Sequence, residues 1–132
     1  MSINLKTIGI WILKLLAAVI MLQTLFYKFS ASPESVYIFS SVGMEPWGRI
    51  GTGVMELIAS VLILIPKTTS IGAVLGIGLM SGALFFHITK LGIVVQDDGG
   101  QLFIYALLVL ISCITLVVIY RRNIFQLLRL SF

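Results

Sequence analysis

Apolar residues run through this chain in four long blocks, and the polar positions inside each block recur at helical spacing. Ile8–Phe29, Trp47–Pro66, Ser70–Gly92 and Gln101–Tyr120 are each mostly aliphatic or aromatic. A membrane-crossing helix needs about 20 such residues, so each block is expected to span a bilayer. Pro66 ends the second block, because proline cannot continue a helix and pushes its predecessor toward extended backbone. "PKTTS" then turns tightly into the third. Between the first two blocks, "SASPESVYIF" carries a helix-start pattern, with Ser32 as N-cap, Pro33 at the first helical position and Glu34 in the first turn. Val36, Tyr37 and Phe39 give it an apolar side. It reads either as a short helix in the membrane interface or as an ordered loop capping the bundle. The expected fold is all-α: a single-domain four-helix transmembrane bundle over residues 1–132.

Composition agrees with the pattern. Of the 132 residues 59% are hydrophobic and 11% charged, against about 25% charged in soluble domains. Basic residues form no long patch, so the net charge of +4 does not indicate nucleic acid. Their placement indicates orientation instead. Lys6, Lys14, Lys67, Arg121, Arg122 and Arg129 fall on one side. Lys28, Arg49 and Lys90 fall on the other with all five acids, Glu34, Glu45, Glu56, Asp97 and Asp98. By the positive-inside rule both termini are expected to be cytoplasmic, and an even number of spans is consistent with both lying on one side. The first block is too long for a signal-peptide core, contains Lys14 and lacks a small-x-small cleavage site, so it is expected to be retained.

Residues three and four apart share a helix face. On that spacing Lys14, Ala17, Met21, Thr24 and Lys28 align, as do Gly48, Thr52, Glu56 and Ser60. In the third span Gly72, Gly76, Met80, Ala83 and His87 align; in the fourth, Gln101, Tyr105, Leu108, Ser112 and Thr115. Helix packing accounts for most of the small and hydroxylated residues. It does not account for Glu56. A carboxylate near the bilayer centre costs about 2.5–3.5 kcal/mol on insertion scales, against roughly 0.3–0.6 kcal/mol recovered by each neighbouring aliphatic. Glu56 is therefore expected to face inward and to pair with Lys28 or His87, or to be neutral. It lies roughly 13 Å below Trp47 at the helical rise. Lys28, His87, Gln101 and Tyr105 begin or end their spans at the same outer level, so the five are candidates for ligand binding or proton relay. Taken singly, Lys28 reads as an interface anchor, and His87, Gln101 and Tyr105 as hydrogen-bonding or packing residues. The inner half offers no comparable set. Glu45 and Arg49, at i and i+4, read as an exposed ion pair, and Asp98 as a cap for the fourth helix with glycines allowing the turn.

Several chemistries are disfavoured. Cys113 is the lone cysteine, which leaves no dithiol redox pair. One histidine excludes bis-histidine haem within a chain, though two chains can supply it. Neither zinc ligands, a calcium loop nor a phosphate-binding glycine motif can be assembled. No catalytic residue can be assigned, and what remains is proton transfer or binding of a small ligand, with a quinone as candidate cofactor.

"FYKFSASPESVYIF", "GMEPWGRIGTGVMELIASVLILIP", "GLMSGALFFHITKLGI" and "DDGGQLFIYALLVL" together resemble the DoxX-like family of small bacterial membrane proteins. The order is aromatic-Lys-Phe closing the first helix, Glu in the second, His in the third, then a DGG loop. The resemblance implies a four-helix bundle in the bacterial inner membrane. Lys28, Glu56 and His87 match the pattern, with no catalytic role implied. The family takes its name from a subunit associated with archaeal quinone-linked sulfur oxidation. The expectation is a quinone- or lipid-like ligand-binding or redox-linked component. The alternatives are a non-enzymatic accessory or assembly protein for a larger membrane complex and, third, a proton-coupled transporter. Expected partners are the lipid bilayer and either further copies of the chain or other membrane proteins.

Overall fold

Every regular element in the computed structural model is helical among the described residues, 4–95 and 99–122. The long helices are α1 (Leu5–Phe29), α3 (Trp47–Leu64), α4 (Thr69–Phe86) and α5 (Gln101–Ile119); the short α2 (Pro33–Ser41) lies between α1 and α3. A π-helical turn, His87–Leu91, prolongs α4. The four long helices are long and apolar enough to cross a membrane. Asp97, Asp98 and Arg129 lie outside the described residues.

The ends follow from local chemistry. Asn4 Oδ1 accepts the Thr7 amide and starts α1. Ser32 accepts the Ser35 amide ahead of Pro33, giving α2 the start its sequence predicts. At the end of α3, Ile65 is extended in front of Pro66. The carbonyls stranded there take Thr68 Oγ1 on Leu62 at 2.8 Å and Thr69 Oγ1 on Ile63 at 2.9 Å. "PKTTS" is thus a turn whose two threonines stitch α4 back onto α3.

The helices form a square. α1 packs on α3 and α5, and α4 packs on the same two from the opposite corner. Ala17, Met21, Ala59, Ile63, Ala73, Val109, Cys113 and Leu116 fill its middle. Outward positions such as Ile12, Val19, Ile58, Val74, Ile111 and Val118 are apolar and exposed, as a lipid-facing perimeter requires. Two glycines let α4 approach its neighbours closely. A Cβ on Gly72 would lie 2.6 Å from the Ile63 nitrogen and 2.8 Å from the Ala59 oxygen, and one on Gly76 would lie 2.7 Å from Cys113 Sγ. On α5 the buried face runs through Ala106, Val109, Cys113 and Leu116 with Ser112 beside it, while Leu108 is exposed. The polar stripe read from the sequence therefore lies along one edge of the buried face, whose centre is Val109, Cys113 and Leu116, with Cys113 opposite Gly76.

At the end of the bundle remote from α2, Lys14 is only 2% exposed. Its ammonium lies 4.4 Å from the Trp11 ring centroid and 5.6 Å from that of Tyr120, the C-cap of α5. Two aromatic faces and the negative end of the α5 dipole accommodate the charge. Lys14 is thus buried on the same stripe as Ala17 and Met21, as their spacing in the sequence placed it.

Gly72→Ala is expected to lower stability by about 1–3 kcal/mol, since the added methyl meets backbone that cannot rotate away. Gly78→Ala, where nothing lies within 4 Å, is expected to be neutral or stabilising. Thermal unfolding of both variants in one detergent checks the contrast.

Candidate functional site

Glu56 is 3% exposed, in the middle of α3 and turned inward. Its Oε1 is 2.9 Å from Lys28 Nζ. Its Oε2 accepts Thr24 Oγ1 at 3.0 Å, and Lys28 also donates to Thr24 Oγ1 at 3.3 Å. Thr24 and Lys28 are one turn apart on α1, so a single helix face supplies the counter-charge and a second donor to the carboxylate. Of the partners the sequence offered, Glu56 takes Lys28. Thr24, read before as a packing hydroxyl, completes the pair; its i, i+4 spacing from Lys28 was the available signal.

The last turn of α1 is held from the other side. Arg49 donates its Nε to both oxygens of Glu45, at 2.9 and 3.0 Å, and an Nη1 hydrogen to the Lys28 carbonyl. That carbonyl lies in the last turn of α1, where the amides of Ser30 and Ala31 also point to it. Arg49 is buried, so this pair is not the exposed surface contact expected from its spacing: the guanidinium also reaches a carbonyl in the last turn of α1.

His87 sits where α4 changes to a π-helical turn. The Gly92 amide donates to the His87 carbonyl at 2.7 Å, and His87 Nδ1 lies 2.9 Å from the Gly92 carbonyl, with Gly92 at φ +79°. A carbonyl only accepts, so Nδ1 carries the proton and Nε2 is the acceptor of the neutral ring. The ring packs edge-on against Phe103 at 5.7 Å. His87 is therefore held by its own turn and does not pair with Glu56. π-turns recur at functional positions. On α5, Gln101 Nε2 donates to Tyr105 Oη at 2.7 Å, leaving the phenol proton to be donated elsewhere.

All five sequence candidates, Lys28, Glu56, His87, Gln101 and Tyr105, line one cavity of about 480 Å³. α2 roofs it with Ser35, Ile38, Phe39 and Val42. α2 touches α1, α3 and the π-turn, so it caps the bundle. Ala31 at φ +55° and Gly43 at φ +75° turn the chain on either side of it. Gly99 and Gly100, both at positive φ, bring in α5 and with it Gln101. Among the described residues, no group of three or more His, Cys, Asp or Glu side chains is arranged to hold a metal.

A bundle of four apolar helices around a cavity with a polar end defines an all-α, multi-pass membrane protein. The chain belongs to the DoxX-like family, whose model matches residues 12–116. That stretch contains every long helix except the ends of α1 and α5, and all the residues of the cavity. Neither a curated protein nor a solved structure matches the chain.

Lys28→Met would leave Glu56 buried without its counter-ion and is expected to cost about 3–5 kcal/mol. Lys28→Met with Glu56→Gln removes both charges and is expected to recover most of that loss. The two transition temperatures, measured side by side, decide whether the pair acts as a unit.

Proposed function

We propose that this protein binds a small, lipid-soluble molecule bearing a polar head, with a quinone as the leading candidate, as a ligand-binding or redox-linked component of the bacterial inner membrane. The cavity carries this reading. Its volume lies within the range of small-molecule sites, and it combines mostly apolar walls with a few convergent polar groups. Tyr105 has a proton to donate, Lys28 has a third hydrogen beyond those directed at Glu56 and Thr24, and His87 Nε2 is an acceptor. Such a set suits an oxygen head that accepts as a carbonyl and donates as a hydroxyl. That is the pair of states a quinone and its quinol present. With the positive-inside orientation, the head would lie toward the outer face and both termini in the cytoplasm.

A second reading is an accessory or assembly protein. It is favoured by one observation: among the described residues, every buried side-chain nitrogen or oxygen has a hydrogen-bond partner. Polar groups satisfied in this way can serve a bundle that simply holds other proteins.

The two readings part on one measurement. Purified protein in lipid nanodiscs is titrated with 2,3-dimethoxy-5-methyl-1,4-benzoquinone carrying a decyl chain. Saturable binding is expected, weakened about tenfold in Tyr105→Phe, as for loss of one hydrogen bond to the head. No saturable binding, together with no small molecule co-extracted from the purified protein, would remove the ligand-binding reading and leave the accessory one.

A further inference from the structure

The cavity has a direction. Along α4 its lining runs from His87 to Gly78, and along α1 from Lys28 to Ile20, or about 12–14 Å of depth at the helical rise. Lys28, Glu34, His87 and Gln101 lie at the end roofed by α2. Ile20, Met21, Gly78, Leu79, Met80 and Ala106 lie at the deep end. A uniformly polar ligand would leave its deeper part without hydrogen-bond partners. A uniformly apolar one would leave the upper groups facing hydrocarbon.

Glycine placement says where the apolar part goes. Gly48, Gly53, Gly72 and Gly76 lie at close contacts, where an added Cβ would fall within 3 Å of a neighbour. Close approach accounts for these glycines. It does not account for Gly78 and Gly82, one turn apart on α4. A Cβ on either meets nothing within 4 Å, yet both line the cavity, and Gly78 is exposed. The cavity thus reaches the outer flank of α4, the surface that faces acyl chains in a bilayer. No side-chain atom lies within 4 Å of where a Cβ would stand on either glycine, so over a full turn α4 presents bare backbone there.

Building on the binding reading above, we infer that the ligand is a single-headed amphiphile taken directly from the bilayer. Its head lies among Lys28, Tyr105 and His87, and its chain crosses the Gly78–Gly82 strip of α4. The strip is a lateral portal, kept open by the absence of side chains.

Leucine at both glycines tests this without disturbing a helix contact, and it replaces a poor helix former with a good one. The probes are the decyl-bearing benzoquinone and the same ring with hydrogen in place of the chain, titrated into protein in nanodiscs of fixed lipid content. For Gly78→Leu with Gly82→Leu, binding of the decyl probe is expected to weaken about tenfold or more, as for a steric clash in a filled site, while the chainless ring binds as it does to the wild type. Gly51→Leu, at an exposed glycine outside the cavity lining, is expected to leave both unchanged. Equal weakening of the two probes, or of neither, would overturn the portal while leaving the head site standing. If neither probe binds the wild type, the site reading fails and the portal with it.

Discussion

A carboxylate inside a hydrocarbon layer must be neutralised by a neighbour or by a proton, and this bundle is arranged around the first solution. Glu56 is met by Lys28 and Thr24 from α1. The contact joins α1 to α3. It also fixes the rotation of both helices, since a rotation that took either charge to the lipid would incur a large desolvation penalty. Arg49 then fastens the carbonyl of the same lysine, with Glu45 holding its guanidinium. One residue, Lys28, is thereby held by its side chain and its backbone, and α2 is carried over the end of the bundle between those two attachments.

The rest of the architecture is a gradient of packing density. At the end formed by the 65–68 turn, Thr68 and Thr69 sew α4 to α3, and Gly72 brings their backbones nearly into contact. Gly76 admits the Cys113 sulfur from α5. Further along α4 the glycines cease to touch anything, and the square opens into the cavity under α2. The same residue type closes one end and opens the other, according to whether a neighbouring helix has filled the space where a side chain would stand. A cavity at the end that also carries the ion pair, a histidine and a tyrosine is a place where polarity and available volume coincide.

Much of this was legible beforehand. The four spans follow from apolar runs, the α2 start from Ser32-Pro33-Glu34, and the inward turn of Glu56 from the cost of exposing it to lipid. The five candidates were grouped by depth alone, and all five line the cavity, because depth in a helix is only residue number multiplied by rise. What depth cannot give is direction around the axis. Lys28 and His87 were equal partners for Glu56 until α4 left α-helical geometry, and a π-turn leaves no mark in a 3.6-residue pattern. Arg49 looked like half of an exposed pair because the carbonyl that buries it lies 21 positions away in the chain. The polar stripe of α5 lies at the edge of the buried face for the same reason: the centre of that face is Cys113, set against Gly76 on another helix.

The sequence by itself determined that this chain enters a membrane, how many times it crosses, and that one buried carboxylate must be satisfied inside. Those are matters of transfer free energy, which sums over residues regardless of how the helices meet. Tertiary structure alone decided that Lys28 and Thr24 satisfy it, that His87 is occupied by Gly92, that Lys14 is buried between two rings, and that a cavity is left beneath α2. Those are matters of helix rotation and steric fit, which depend on two surfaces at once and so are written in neither helix alone.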